Sequence, residues 1–172
     1  MRKSPENLLL SEISLLPSRG KKWSVRAAAV FPNSYPVGMS NIGFLTLFAR
    51  MHDFHQLYPQ RFFKNFDVSL EERMPLSAFP IIAASIAYEM DFFNFVDMLR
   101  RGGVPADARQ RENSIVIVGG AAVTINPVPL SLVADAIFIG QGKNSIRRIM
   151  RVVAENPPGI SSKMEILNIL SK

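Results

Sequence analysis

Few side chains here are of the types that do chemistry, and their spacing narrows the choice further. The two histidines, His52 and His55, stand three residues apart beside Asp53. On a helix that spacing puts both rings on one face, but one pair of imidazoles is an incomplete metal site, and solvated or partner-facing histidines are the simpler reading. Glu89 and Asp91 are carboxylates close to the end of an apolar run, where Asp91 reads as a helix cap rather than an acid or base. No serine sits in a nucleophile turn, so no Ser-His-Asp arrangement can be built. There is no cysteine. That excludes a disulfide framework, a thiolate zinc site, a catalytic thiol and any iron–sulfur cluster held by these residues.

What remains is a set of small residues in turns. Asn33-Ser34-Tyr35-Pro36-Val37-Gly38, Ser85-Ile86-Ala87-Tyr88-Glu89, Gly119-Gly120-Ala121 and Gly140-Gln141-Gly142 each follow a short apolar run. Glycine lets a large ligand approach the backbone, and the amides that open a helix favour polar or anionic groups. Any one such turn is explained by tight geometry alone; four in register along a sheet edge form a binding edge. Two nucleotide signatures fail on detail. Gly38 to Gly43 lacks the Gly-x-Gly-x-x-Gly spacing, and Gly142-Lys143 is followed by Asn144 rather than Ser or Thr.

The elements that must position these turns alternate. Val25 to Phe31, Ile81 to Ile86, Ile115 to Val118 and Ala136 to Ile139 read as buried strands, with a fifth placed around Arg61 to Phe66. Helical periodicity follows at Gly38 to Asp53, Asp91 to Arg101, Ile125 to Val133 and Asn144 to Glu155. Strand alternating with helix implies an α/β fold with a parallel sheet and helices on both faces. An N-terminal helix is expected from Ser4 and Pro5 through Leu9, Ile13 and Leu16, stopped by Pro17 and Gly20. Ser162 to Glu165 is a capping box opening a last helix whose Ile166, Leu167, Ile169 and Leu170 look barely used. The expected division is a helical appendage over 1–20, a core domain over 21–156, and a linker with a short helix over 157–172.

Composition agrees with one globular domain: 48% hydrophobic and 20% charged. Its 20 Lys+Arg against 14 Asp+Glu give a net charge of +6, but the basic residues are scattered in short clusters, so a solvated surface is expected and nucleic acid is not. No apolar run approaches the ~18 residues of a membrane span. Pro5, Glu6 and Glu12 interrupt the stretch that a signal peptide would keep apolar, which points to the cytoplasm.

The block Phe31-Pro32-Asn33-Ser34-Tyr35-Pro36-Val37-Gly38-Met39-Ser40-Asn41-Ile42-Gly43, with Ser85 to Glu89, Val118-Gly119-Gly120 and Ile139 to Gly142, resembles the N-terminal cobalamin-binding-like domain of radical S-adenosylmethionine proteins, the Fe–S oxidoreductases. The resemblance runs from about Leu15 to Lys172 and implies a Rossmann-like, flavodoxin-type sheet of about five strands. In that family the domain precedes a barrel that holds a 4Fe–4S cluster and S-adenosylmethionine. The chain is then expected to stop where such a barrel begins, to do no catalysis alone, and to have a radical S-adenosylmethionine domain as its partner in cis or in trans.

Cobalamin domains with a histidine beneath cobalt carry Asp-x-His-x-x-Gly after the first strand, then Ser-x-Leu, then Gly-Gly. Here Asn33 stands at the aspartate's place, Tyr35 at the histidine's and Ala87 at the leucine's, while Ser85 and Gly119-Gly120 remain. Lys143 stands where relatives often have a glutamate. A phenol is a poor cobalt ligand at neutral pH, so any cobalamin would be base-off with no protein nitrogen beneath the metal. The resemblance implies binding residues Asn33, Ser34, Tyr35, Gly38, Ser85, Tyr88, Glu89, Gly119, Gly120 and Gly142. The rival expectation is a vestigial fold acting as an interdomain or oligomerisation module; a homodimer through the apolar helix from Gly38 and the unfinished last helix would suit it. A different ligand, nucleic acid included, is the third.

A charge that is only solvated surface has a measurable signature. Binding to mixed RNA, followed by fluorescence anisotropy, is expected to be weak and to vanish by about 200 mM salt. Sub-micromolar binding that persists at that salt would overturn the reading.

Overall fold

A computed structural model describes residues 4–14, 16, 24–140, 145–159 and 161–171. Five parallel strands form one sheet: β1 (Val25–Phe31), β2 (Leu57–Phe63), β3 (Ile81–Ser85), β4 (Ile115–Gly119) and β5 (Ala136–Ile137), in the order β2-β1-β3-β4-β5. This is the flavodoxin-type order, whose direction of winding reverses between β1 and β3. Side chains alternate between two cores. Ala27, Ala29 and Phe31 enter one, Ala28 and Val30 the other, all fully buried, because a parallel sheet is covered on both faces. Helices α3 (Ile42–Met51) and α6 (Ser145–Glu155) cover the first face; α4 (Asp91–Arg101) and the short α5 (Ala121–Ile125) cover the second.

Several boundaries differ from expectation, each for a physical reason. The helix expected from Gly38 to Asp53 is two: α2 (Tyr35–Met39) ends at Ser40, and Asn41 caps α3 by accepting from the Phe44 amide at 2.9 Å. β2 begins four residues before the Arg61 start assigned to it. Pro59 sits in its middle, which an edge strand tolerates, and its buried Gln60 and Arg61 donate to Glu72 and Glu71 of the loop that follows. The helix placed at Ile125 to Val133 is instead α5 followed by a 3-10 turn at Val128–Leu130, since Pro127 and Pro129 forbid an α-helix there. β5 ends at Ile137, and Ile139 is exposed.

The terminal elements are more engaged with the core than expected. α1 (Pro5–Leu10) is capped by Ser4 and stops at Ser11, well short of Leu16; Leu8 is its buried residue and Leu9 and Leu16 pack beside it. In α7 (Lys163–Leu170), the capping box of Ser162 and Glu165 is present, Ile166 is fully buried and Leu167 and Leu170 pack on the same core. α3 likewise buries Phe44, Leu47, Phe48 and Met51. Of the two surfaces on which a homodimer was expected, Ile42 of α3 and Met164 and Ile169 of α7 stay exposed. No helix among the described residues is long and apolar enough to cross a membrane.

A charged knot anchors α7 to the amino-terminal edge of the sheet. Arg111 and Asp135 have fully buried side chains paired at 3.0 Å. Asp135 also accepts from the Val116 amide at 2.7 Å and meets Lys163 of α7; Arg111 donates to the carbonyls of Pro105, Ala106 and Val133. Removing one partner of such a pair leaves a buried charge short of its counterion. Arg111→Met is expected to lower the unfolding free energy by about 3–5 kcal/mol in urea titrations, against under about 1 kcal/mol if the pair were merely ornamental.

Candidate functional site

Parallel register puts Ser85 of β3 directly beside Gly119 of β4. The period of two turns Ala83, Ser85, Ile117 and Gly119 toward the face that α3 and α6 cover. Because those residues are small, the helices do not close onto the strand ends, and a cleft of about 130 Å³ remains. Its floor is Ala83, Ala84, Ser85, Val118, Gly119 and Gly120; Gly43 and Leu47 of α3 and Ile146, Ile149 and Met150 of α6 form the walls, with Phe138 and Gly140 at the rim. Among the described residues of this lining, Ser85 carries the one hydrogen-bonding side chain. It is 8% exposed, and its hydroxyl has no hydrogen-bond partner among the described residues.

The two adjoining glycines differ in what they do. A Cβ on Gly119 would meet Phe138 at 3.5 Å, ordinary contact, so its hydrogen leaves real space. Gly120 has φ +119°, and a Cβ there would lie 2.4 Å from the Ile86 carbonyl oxygen. It is a backbone requirement: the chain crosses so close that the Ile86 amide donates to the Gly119 carbonyl at 2.8 Å. Gly38 belongs to a different place. A Cβ on it would strike the Phe63 ring at 2.5 Å, so this glycine lets α2 seat on the ends of β1 and β2. Gly142 lies outside the described residues.

The loop after β1 turns its polar groups away from the cleft. Asn33 donates to Asp91 at 3.0 Å and accepts from the Ser34 amide at 2.8 Å. Asp91 is not the cap expected of it: Met90 occupies the cap position, and the Asp91 side chain is buried, accepting from Asn33 and Asn94 on one oxygen while the other has no partner. This cluster occupies the switch point between β1 and β3. Tyr88 and Glu89 are exposed beside it. Of the ten residues named from sequence, Ser85, Gly119 and Gly120 converge on the cleft; Asn33, Ser34, Tyr35, Gly38, Tyr88 and Glu89 do not line it.

Tyr35 is held elsewhere. Its ring packs edge-on against Phe63 with centroids 5.3 Å apart, and its hydroxyl donates to Glu12 at 2.5 Å. Glu12 in turn takes a bidentate hold on Arg61, at 2.8 and 2.7 Å, and Arg61 binds Glu71 at 2.6 Å and lies 5.0 Å from the centre of the Phe48 ring. Burial pushes the Glu12 carboxyl up, but the Arg61 and Tyr35 hydrogen bonds outweigh it and hold it below its ordinary value. Burial pushes Glu71 up, and Arg61 draws it only part of the way back. Sequence reasoning missed this cluster. The only signal was an arginine inside an apolar run, and its partners lie at distant positions in the chain.

His52 ends α3 with Nδ1 2.9 Å from the Phe48 carbonyl, and His55 is exposed. Among the described residues no three His, Asp or Glu side chains gather as a metal site. A match to the family described as radical SAM proteins, N-terminal, covers residues 43–172. The chain belongs to that family. No curated protein and no solved structure matches it.

Burial and the Glu12 hydrogen bond push Tyr35 up to about 12. A phenol whose pKa is raised by folding contributes stability that is complete below its ordinary pH 10 and is lost as pH rises through about 12. Absorbance titration at alkaline pH is expected to show one of the three tyrosines ionising late, and Glu12→Gln to bring it back toward 10. An unchanged late step in that variant would refute the Glu12 contact.

Proposed function

We propose that this member of the radical SAM N-terminal family is a cobalamin-binding-type domain, non-catalytic by itself, that holds the cofactor base-off with no histidine beneath cobalt. The observation that carries the reading is the cleft at Ser85, Gly119 and Gly120, open at the carboxyl edge of the sheet where ligands of such folds bind. Its volume of about 130 Å³ approaches the ~150 Å³ of an engineered apolar cavity that accepts benzene, so a flat ring fits between sheet and helices while the rest of a larger molecule stays outside. The residues fit the group on a second count: the space is the one a side chain at Gly119 would fill.

Tyr35 supports the base-off form. A phenol kept neutral by burial and by Glu12 donates its proton to a carboxylate and offers cobalt nothing. When bound, cobalamin would supply a cobalt able to carry an alkyl group. This chain's own residues seat and orient it, and the reaction belongs to a radical S-adenosylmethionine domain with its cluster.

A second reading has its own observation. Ile42, Met90 and Phe93 are 70–80% exposed, and each lies where a helix starts at the carboxyl edge of the sheet. Such a rim suits a domain that works against another surface, as the interdomain module without cobalamin would. The two readings separate in one experiment. Hydroxocobalamin added to the purified chain is expected to show a base-off spectrum that Tyr35→Phe leaves unchanged and Gly119→Leu abolishes. Gly120 is not the position to fill, because substitution there disturbs the backbone. No binding at ~100 μM would leave the interdomain module standing.

A further inference from the structure

The start of α4 carries three features that the fold itself does not use. Tyr88, Met90 and Phe93 form a run of large, mainly apolar side chains that are 54%, 70% and 73% exposed. Glu89 stands between the first two, exposed and without an ion pair to any described residue. Asp91 follows, 1% exposed: Asn33 and Asn94 both donate to its Oδ1, at 3.0 and 3.1 Å, and its Oδ2 has no partner. Lys64, whose amide donates to the Asn33 carbonyl, pairs with neither carboxylate. A buried oxygen left unpaired is costly, and native structures keep few of them. A charge so placed is also poorly screened, since little water or salt surrounds it. On a chain with a net charge of +6, the rim of α4 is thus a local acidic spot framed by hydrocarbon.

We infer that the start of α4 is a docking surface for a protein that presents an arginine set among apolar side chains. A guanidinium suits both halves of the rim. It is planar and weakly hydrated, so it lies well against rings such as those of Tyr88 and Phe93, while its N–H groups serve carboxylate oxygens. A lysine ammonium holds its water more tightly and loses more on entering an apolar surround. An acidic partner meets repulsion from Glu89 and Asp91, and a purely apolar one covers them without compensation. Protein interfaces concentrate their energy at such points, where an arginine or aromatic anchor is ringed by apolar contacts that keep water out. The inference rests on the interdomain reading above and supplies the chemistry of the surface that the module meets; it does not depend on whether cobalamin binds.

Blocked tripeptides test it on the intact chain: leucine-arginine-leucine, with citrulline in place of arginine as the neutral isostere and glutamate as the reverse charge. Binding is followed by chemical shifts of the Met90 and Phe93 amides and of the Asn33 and Asn94 side-chain amides. The arginine peptide is expected to bind with a Kd of about 1 mM, at least ~5-fold more tightly than the citrulline one, and the glutamate peptide not at all. Phe93→Ser, at an exposed side chain, is expected to weaken the arginine and citrulline peptides alike. Glu89→Gln and Asp91→Asn are expected to shrink the ratio between them. Asp91→Asn keeps an oxygen for Asn33 and Asn94 and replaces only the unpaired one; should it fail to fold, the ratio in Glu89→Gln decides. Citrulline binding as tightly as arginine, or a ratio unmoved by these variants, overturns the inference while leaving an apolar interdomain surface in place. Shifts confined to other parts of the chain, or none at ~10 mM peptide, remove the docking surface and the interdomain reading with it.

Discussion

Where β3 and β4 end, the chain is drawn together more tightly than any residue with a side chain would permit. Gly120, at φ +119°, presses against the Ile86 backbone, and the Ile86 amide bonds to Gly119. That approach extends the β3 to β4 pairing one step beyond the last register pair, Ser85 with Gly119. It fixes the floor of the cleft, starts α5 with the Ala122 amide on the Ile86 carbonyl, and through the Thr124 hydroxyl, bonded to Gly120 and Gly140, holds the turn after β5 in place. Loosening it would move floor and rim together.

Charge is used sparingly in the interior, and always at the margins of the apolar cores. Arg111, Asp135 and Lys163 join the amino-terminal edge to α7; Arg61, Glu12, Glu71 and Tyr35 join the edge strand to the N-terminal segment. Buried pairs of this kind add little net stability over apolar packing. They impose position instead, because each guanidinium satisfies several acceptors at once and has one geometry that does so. Among the described residues that line the cleft there is no charged side chain, and neither anchor takes part in it.

Much of the fold was legible from sequence because period and punctuation agreed. β1 and α4 have their expected ends, where a run of small apolar residues or a sharp amphipathic stripe meets a turn. The α/β class and five parallel strands followed. β2 was displaced because Tyr58-Pro59-Gln60-Arg61 reads as a loop until Glu71 and Glu72 arrive to neutralise it. The site was legible in part for the same reason. Small residues after strands announced Ser85, Gly119 and Gly120. Periodicity says nothing about whether a glycine opens space or lets two surfaces touch, and Gly38, packed on Phe63, is of the second kind. Nor does it reveal that Asn33 turns to Asp91, fifty-eight residues away.

The Glu12 to Arg61 clasp spans forty-nine residues of sequence and ties a segment that makes no strand pairing of its own. Its guanidinium is oriented by the β1 to β2 pairing and by Glu71, so the clasp has nothing to grip until that pairing exists. Segments near a chain terminus open at lower free energy than core strands. The N-terminal segment therefore depends on the β1 to β2 pairing for its main polar hold, beside the apolar one that Leu8 makes. Because the hydroxyl of Tyr35 is bonded to the same carboxylate, the clasp also reaches the first residue of α2.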